Sequence, residues 1–374
     1  MDMDLTIVGG GAVGLAIAMR SAGKGSRVLL LERHSAFGRE TSSRNSEVIH
    51  GGMYYPPGSL KAKLCVEGRR ELYAFAGTRG VPARKTGKII VAQDEAEIAA
   101  LERIQTTGRA NGVEGLDLLG KDGLSKRCPD LRAQVALWSP ETGVVNAHRL
   151  MDALRVVAEE QGAVVLPGAE ALGLEMIDGG WRVDFRDADG LQAVETAWVA
   201  NAAGLNAQKV MRMAGLDPAE MGLTLHPCKG SYYSVRGKAG KRITSLVYPV
   251  PEEKLVGLGV HTIVDVAGGV KLGPDAEYVP EADEYDYAVD ARRKDDFFRS
   301  AKRYLPFLEP GDIEPDMSGI RPKLYGPGEP ERDFHIREER ERGRPGFINL
   351  AGLESPGLTA CLAIGKMVAE TASG

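Results

Sequence analysis

The sequence predicts a two-domain protein in which a parallel α/β sheet is combined with a second, mostly antiparallel β-sheet. Three observations lead to this prediction. A strand–helix–strand unit with a glycine-rich turn opens the chain, and strand-like segments separated by turns follow Leu225. The length of 374 residues is long for a single core. The predicted fold class is therefore α/β combined with α+β.

Composition is that of an ordinary globular protein and excludes several classes. Hydrophobic residues make up 43 % and charged residues 26 % of the chain, which is a normal balance. The net charge of −5 argues against nucleic acid as a partner. No apolar run approaches the length that spans a bilayer, and the first residues predict a strand rather than a secretory signal. We expect a cytoplasmic protein without an integral membrane segment, and peripheral contact with the inner membrane is left open.

The cysteines predict neither a redox dithiol nor a metal site. Cys65, Cys128, Cys228 and Cys361 lie far apart, without a CxxC pair. This spacing excludes a local dithiol and disfavours zinc. Reduced thiols and no bound metal are the simplest interpretation.

The first 33 residues carry a dinucleotide-binding signature. An apolar strand leads into the spacing GxGxxG, a helix, and a second strand that ends at Glu32. Gly9 permits the tight turn, Gly11 lets the backbone approach a pyrophosphate, and Gly14 allows close packing of helix on sheet. Glu32 lies 18 residues beyond Gly14, near the spacing of a carboxylate that binds ribose hydroxyls. The further predicted contacts of this unit are Ala12, Val13 and Arg33. Either FAD or NAD fits such a unit.

A polar, glycine-rich ribbon, residues 41–63, favours FAD. It reads TSSRNSEVIHGGMYYPPGSLKAK, whereas the second strand of a nicotinamide enzyme normally leads directly into the next βα unit. Its polar groups are suited to an extended pyrophosphate, and its glycines let the backbone lie close to a flat ring. A surface Ω-loop is the alternative. The predicted contact residues are Thr41, Ser42, Ser43, Arg44, Asn45, Ser46, His50, Gly51 and Gly52.

The C-terminal segment predicts a helix that begins at a ligand. Residues 347–351 read as a strand, Ser355 is a suitable N-cap, and Pro356 fits the first helical turn. The partial positive charge of a helix start stabilises the negative charge of a reduced flavin. An ordinary amphipathic helix is the alternative, but the flanking glycines favour the ligand. The predicted contacts are Gly352, Glu354, Ser355, Pro356, Gly357, Leu358 and Thr359.

Motifs spread in order over almost the whole chain resemble one family of flavoproteins. They are the glycine turn with its acid, SSRNSEVIHGGMYY, VVNAHRLMDAL, VANAAGLNA, HPCKGSYY, YPVP, GVH, SGIRP and ESPGLTACLAIG. The set is similar to the D-amino-acid oxidase and glycerol-3-phosphate dehydrogenase superfamily, and within it to the L-2-hydroxyglutarate dehydrogenase branch. The resemblance implies a Rossmann-like FAD domain of the GR2/DAO type, with Ala202, Ala203 and Gly204 beside the adenosine. We expect FAD to be held non-covalently, because Cys361 lies inside the last predicted helix, where it does not reach the ring.

Both predicted domains are discontinuous in sequence. The FAD-binding domain comprises residues 1–80, 145–224 and 331–374, and the substrate-binding domain comprises 81–144 and 225–330. In the second domain we expect an outer helix over 286–308. Residues 81–144 are expected to contribute charged segments and short helices.

His261 is the predicted catalytic base. On a predicted strand over 255–263 it shares a face with Gly257 and Gly259, which leaves room for a substrate or a planar ring. A histidine with a pKa near neutrality is suited to take a hydroxyl proton while hydride leaves for the flavin. A structural histidine is the alternative, and His50 is the rival base.

Arg321 is the predicted clamp for the substrate carboxylate, by its resemblance to the arginine of the amino-acid oxidases, and a predicted FAD contact. Its planar fork matches a carboxylate bidentately, and a surface ion pair is the alternative. Lys229 stands where close hydroxyglutarate enzymes are expected to have arginine. If it points inward, two buried cations require a dicarboxylate. Tyr248, Tyr233 and Tyr54 are plausible wall residues.

Three functions follow from this reading. FAD-dependent oxidation of a small 2-hydroxy acid, such as L-2-hydroxyglutarate, leads because loss of a hydroxyl proton requires a base. Oxidation of an amine or amino acid (glycine, sarcosine or a D-amino acid) is the alternative on the same scaffold. An NAD(P)H-dependent reductase is disfavoured, since neither a second nucleotide cradle nor a redox cysteine pair is visible. A non-catalytic flavoprotein would leave an arginine and a histidine that converge on the flavin unexplained. Oxygen, a quinone and another flavoprotein stay open as electron acceptors, as does the oligomeric state.

Overall fold

Strands and helices alternate along most of the chain. This computed structural model describes residues 1–23, 25–251 and 259–373. The strands are β1 Met3–Val8, β2 Val28–Glu32, β3 Val48–Ile49, β4 Ala83–Arg84, β5 Lys88–Ala92, β6 Asp117–Leu119, β7 Val135–Ser139, β8 Gly143–Val145, β9 Val164–Pro167, β10 Glu170–Ile177, β11 Gly180–Asp187, β12 Gly190–Asn201, β13 His226–Val235, β14 Leu246–Pro249, β15 His261–Val264, β16 Val270–Gly273, β17 Glu277–Tyr278, β18 Ile313–Lys323, β19 His335–Glu339 and β20 Arg344–Ala351. The helices are α1 Ala12–Ser21, α2 Leu60–Arg79, α3 Glu95–Ala110, α4 Lys121–Arg127, α5 Ala147–Glu160, α6 Ala207–Met213, α7 Gly237–Arg242, α8 Lys294–Lys302 and α9 Gly357–Ser373.

The large sheet contains the dinucleotide-binding signature. Its strand order is β10-β11-β12-β1-β2-β9, with β20 beside β12 and β19 beside β20. Strand β1 pairs in parallel with β2 and β12, β2 with β9, and β12 with β20. The parallel strands end at the same edge, where a dinucleotide binds in folds of this kind. The architecture is the Rossmann-like one that the glycine turn predicts.

Glycines let three helices cross closely on one face of the large sheet. A Cβ added at Gly365 of α9 would lie 2.7 Å from the Ala16 backbone of α1. One added at Gly68 of α2 would lie 2.6 Å from the Thr359 carbonyl oxygen of α9. Larger residues at such crossings cost about 1–3 kcal/mol through forced displacement. The tight packing fixes the start of α9 beside the ribbon.

A mostly antiparallel region faces the edge of the large sheet, as predicted. The second sheet has the order β15-β16-β13-β17, with β18 beside β13, and its pairs are antiparallel. The third sheet has the order β14-β5-β7-β6, in which β14 and β5 run parallel. A small sheet, β3-β8-β4, joins the ribbon to residues 81–144. We propose that the predicted domain division follows these sheets.

Residues 81–144 differ from the sequence expectation. They form the strands β5 and β7 at the centre of the third sheet, in addition to helices. Strand β5 is buried along its whole length. Its apolar run is short, lies between charged segments and does not alternate with polar residues, so the sequence does not identify it as a strand.

The outer helix is shorter than predicted. Over 286–308 only Lys294–Lys302 is α-helical, after a 3₁₀ turn. The carbonyl of Asp290 accepts a hydrogen bond from Tyr233 OH at 2.6 Å, and its carboxylate accepts one from Arg292 N at 3.0 Å. These bonds hold the backbone of Asp290 in an extended conformation, and its side chain caps the 3₁₀ turn. A capping side chain competes with helical hydrogen bonds, so the helix does not extend back through Asp290.

None of the helices in the described residues 1–23, 25–251 and 259–373 has both the length and the apolar character needed to cross a membrane. The same residues contain no cluster of His, Cys, Asp or Glu that could hold a metal ion.

Candidate active site

A long cavity runs between the edge of the large sheet and the second and third sheets. One wall is built from the chain that follows β1, β2, β12 and β20, and the other from β13, β14, β15 and β18. The predicted site residues that line it are Gly9, Gly11, Ala12, Val13, Glu32, Arg33, Thr41, Ser42, Arg44, Asn45, Ser46, His50, Ala202, Ala203, Gly204, Tyr248, His261, Arg321, Glu354, Ser355, Pro356, Gly357, Leu358 and Thr359. Residues distant in sequence thus meet at one cavity.

Several predicted contacts lie behind the cavity wall. They are Gly14, Ser43, Gly51, Gly52, Gly352 and Lys229. A Cβ at Gly14 would collide with the Gly9 carbonyl, and Gly52 has a φ of +102°. The Ser43 hydroxyl bonds the Glu40 carbonyl at 3.3 Å. These residues shape the wall, so we expect them to act on a ligand only through the backbone they position.

At the glycine turn, polar side chains already hold the backbone. Glu32 accepts hydrogen bonds from Gly10 N and His34 N, each at 2.8 Å. Burial raises the pKa of Glu32, although both backbone bonds oppose that rise. Each carboxylate oxygen has capacity for a further bond, which suits ribose hydroxyls. A Cβ at Gly9, which has a φ of +113°, would lie 2.5 Å from the Ala202 carbonyl oxygen, so this position of the turn has room for glycine alone.

The helix start differs in detail from the predicted cap. Helix α9 begins at Gly357, and the Ser355 hydroxyl lies 3.2 Å from His50 Nε2 and 3.4 Å from Tyr55 OH. Thr359 Oγ1 accepts a bond from His50 N at 3.0 Å. Ser355 therefore ties the ribbon to the helix rather than serving as the expected N-cap. The first N–H groups of a helix lack helical partners, and those of α9 lie at the cavity.

His261 has the geometry of a proton acceptor. Its Nδ1 lies 3.1 Å from the Gly259 carbonyl oxygen, which can only accept, so that Nδ1 carries the proton. The lone pair of Nε2 is then free, and within the described structure this buried atom has no hydrogen-bond partner. The ring stacks on Tyr248, with centroids 3.6 Å apart and 17° between planes. Burial, and next the charge of Lys88, lower the pKa of His261 well below its usual value.

The strand around His261 is shorter than the sequence predicted. Strand β15 begins at His261 itself. Gly257, predicted to share its face, lies outside the described residues. Gly259 contributes its carbonyl to the imidazole rather than open space alone.

His50 lines the same cavity and has a free ring nitrogen. Its Nδ1 is buried without a partner among the described residues. Burial, then Lys88, lower the pKa of His50 well below its usual value. The Ser355 hydroxyl at Nε2 can donate or accept, so the tautomer of His50 is not determined by its contacts. Of the two histidines, His261 has the better-defined tautomer.

Arg321 presents a half-buried guanidinium to the cavity. Its Nη2 donates to the carbonyls of Asp275 at 2.6 Å and Lys229 at 3.3 Å, and its Nε donates to the Cys228 carbonyl at 3.4 Å. Over the part of the chain that the structure describes, no carboxylate lies within ion-pair distance of it. Burying a cation without an anion is costly. An anionic ligand at this wall removes that cost.

Lys229 does not supply a second cation to the cavity. Cys228 lies opposite Arg321 in the β13–β18 ladder, so their side chains share a face with Gly230. Lys229 is on the other face, and its Nζ lies 3.9 Å from Asp286 Oδ2. The inward orientation on which the two-cation argument depends is therefore not the one observed.

The sequence alone does not predict the buried lysine whose charge acts on both histidines. Lys88, at the start of β5, is completely buried, and its Nζ lies 3.8 Å from the Tyr248 ring centroid. Burial lowers the pKa of Lys88 to about 7. The only signal in sequence is a lysine that opens the apolar run GKIIVA.

Comparisons with known proteins agree with the site. The sequence profile described as FAD dependent oxidoreductase matches residues 4–371. The mitochondrial L-2-hydroxyglutarate dehydrogenase of Arabidopsis thaliana is 39 % identical, over 98 % of this chain and 83 % of its own. The dithionite-reduced L-alpha-glycerophosphate oxidase of Mycoplasma pneumoniae with FAD bound has a TM-score of 0.88 at 26 % identity, covering 100 % of this chain and 95 % of its own. Glycine oxidase from Geobacillus kaustophilus has a TM-score of 0.77 at 24 % identity, covering 99 % and 94 %, and shares the fold.

The predicted fold class, the resemblance and FAD as cofactor are thereby confirmed. The cavity suits that cofactor by its own features: a turn with room only for glycine at Gly9, and buried polar atoms without partners at His50, Tyr248 and His261 within the described chain. The chain belongs to the family of FAD-dependent oxidoreductases.

Proposed function

We propose that this protein oxidises the hydroxyl-bearing carbon of a small 2-hydroxy acid, with L-2-hydroxyglutarate as the first candidate. The observation that carries the proposal is one cavity lined by the guanidinium of Arg321 and by the free Nε2 of His261. The first group binds a carboxylate and the second accepts a proton. The likeness to the Arabidopsis L-2-hydroxyglutarate dehydrogenase supports the choice of substrate.

Different residues bind the ligands and accept the proton. Bound FAD supplies the two-electron hydride acceptor. The glycine turn, Glu32, the ribbon and the start of α9 are the groups that would hold it. Arg321 orients the substrate by its carboxylate. His261 Nε2 takes the hydroxyl proton as the carbon-bound hydrogen departs as hydride, which leaves a 2-oxo acid.

Oxidation of an amine or amino acid is the second candidate. It needs the same carboxylate clamp, and the likeness to glycine oxidase supports the scaffold alone. The deciding experiment is anaerobic mixing of the purified flavoprotein with L- and D-2-hydroxyglutarate, malate, lactate, sarcosine and glycine. We expect bleaching of the flavin absorbance to be fastest with L-2-hydroxyglutarate. Faster bleaching by sarcosine or glycine would replace the proposal by the second candidate.

We expect FAD to be held without a covalent bond. Cys361 lies in the core between α9 and α1, and none of the cysteines, all of which are in the described residues, lines the cavity. Acid precipitation should release the yellow colour into the supernatant, where its spectrum identifies it. Colour retained in the pellet would point to attachment through His50 or His261, and the peptide carrying it can be sequenced.

Lys229→Met is expected to leave substrate preference unchanged. Its partner Asp286 is largely exposed, and pairs of this kind contribute about 0–1 kcal/mol. The ratio of kcat/KM for L-2-hydroxyglutarate to that for lactate should therefore change less than about fivefold. Lys366→Met, which removes an exposed pair with Glu67 away from the cavity, is the control. A selective loss of activity on the dicarboxylate would place Lys229 at its distal carboxylate.

A further inference from the structure

Lys88 is a buried cation that the proposed mechanism does not use. Its side chain is fully buried and its Nζ has no hydrogen-bond partner in the described parts of the chain. The backbone is held on both sides, by Leu246 of β14 and Ser139 of β7. A lone buried ammonium is unfavourable, so its retention here calls for a role.

Lys88, Tyr248 and His261 form a stack of three groups. The Lys88 Nζ lies 3.8 Å from the Tyr248 ring centroid, and the His261 ring centroid lies 3.6 Å from the same point. On the same face of Tyr248, the ammonium and the imidazole would overlap, because both lie over the ring centroid at nearly the same distance. They therefore lie on opposite faces of Tyr248. The Nζ is also 5.2 Å from the Tyr54 ring centroid. Aromatic faces are the favourable contacts available to this cation.

We propose that Lys88 is a positioning residue of the active site: its ammonium holds Tyr248 from the face opposite His261 and keeps His261 in the neutral, proton-accepting form. The proposal rests on the proposed function in one respect, that the neutral imidazole accepts the hydroxyl proton of the substrate. Lys88 itself does not line the cavity and touches no reacting atom.

The charges around His261 act in one direction. The groups that face it in the described residues are Lys88 on β5, His50 after β3 and Arg321 on β18, and each lowers the pKa of His261. Tyr248 contributes an uncharged ring, since burial raises the pKa of its hydroxyl well above the usual value. The pKa of Lys88 is lowered to about 7, so Lys88 is charged at the acid pH where His261 would bind a proton.

The first test measures the imidazole directly. In protein with isotope-labelled histidine, the His261 resonance is assigned by its absence in His261→Gln, and its pKa is measured by NMR titration in wild type and Lys88→Met. We expect the variant to raise it by about 1.7 pH units, from the Coulomb interaction of two charges roughly 7 Å apart at an effective dielectric of about 20. The acid limb of flavin reduction should move by the same amount. Lys85→Met, at an exposed ion pair with Glu141, is the matched control.

The second test uses unfolding and needs no substrate. The pKa of Lys88 is about 7 in the folded protein and 10.5 as the ordinary value, so between these limits the unfolded chain binds more protons. The free energy of unfolding then rises with pH over this window. Below this window, the charged Lys88 side chain destabilises the folded protein to its full extent. Lys88→Met should therefore melt higher than wild type at pH 6.5, and the difference in Tm should shrink as pH approaches 10.

The outcomes separate this inference from the proposed function. If no 2-hydroxy acid bleaches the flavin, the function fails, while the NMR titration and the melting series still decide on Lys88. An unchanged pKa of His261 in Lys88→Met would overturn the positioning role. So would a variant that does not fold or that melts lower at pH 6.5, because the lysine would then be stabilising by contacts other than those described.

Discussion

His261→Ala is expected to lower the rate constant of anaerobic flavin reduction by roughly 10²–10⁴-fold, the usual contribution of a positioned base. The reason is the free Nε2 lone pair, which the Gly259 carbonyl secures by holding the proton on Nδ1. The KM should change little, because Arg321 still binds the carboxylate. Stopped-flow reduction by L-2-hydroxyglutarate at saturating concentration measures the effect.

The pH dependence of the same rate tests the identity of the base. Burial and Lys88 lower the pKa of His261 below 6.5, so the base form persists below that pH. The wild-type rate should hold its plateau at pH 6.5 and fall only at lower pH. His261→Ala should lose this acid limb together with the rate.

Two further variants decide between the histidines. His148→Ala, at an exposed position of α5, is the matched control and should reduce at the wild-type rate. If His261→Ala also reduces at that rate, with its FAD content intact, the proton goes to His50 or to water. The reduction rate of His50→Gln then distinguishes those two acceptors.

The cofactor side of the site was predictable because its signals are local. The turn needs residues without a Cβ at Gly9 and Gly14, at a fixed spacing, and the adjacent strands are short apolar runs that a local stretch of sequence shows. The start of α9 was placed within two residues, although Ser355 proved to contact His50 instead of capping the helix. Here a tertiary contact replaced a local one.

The substrate side was less predictable because it depends on register. Which face of β13 meets the cavity decides that Gly230 lines it and Lys229 does not, and a shift by one residue would reverse this. Lys88 approaches His261 through the pairing of β5 with β14, whose residues are far apart in sequence. A window around Lys88 shows only a lysine before an apolar run.

Arg321→Ala is expected to raise the KM for L-2-hydroxyglutarate about ten- to a hundredfold, because a charge-assisted bidentate pair contributes about 1.5–3 kcal/mol. The KM of Arg321→Lys should lie between those of wild type and Arg321→Ala, since lysine keeps the charge and loses the planar fork. Steady-state kinetics on both variants measure this. Arg236→Ala, at an exposed pair with Glu314, is the control.

The kinetic pattern matters more than the size of the loss. The Arg321 side chain also bonds the carbonyls of Asp275 and Lys229, so its removal can disturb the wall as well as the clamp. If Arg321 binds the substrate carboxylate, Arg321→Ala should have a raised KM, a kcat close to that of wild type and an unchanged FAD content. A variant with normal KM and depressed kcat, or with lost FAD, would instead assign Arg321 to support of the cavity wall. The substrate carboxylate would then need another cation at the cavity wall, and Arg44, which lines the cavity, is the next to replace.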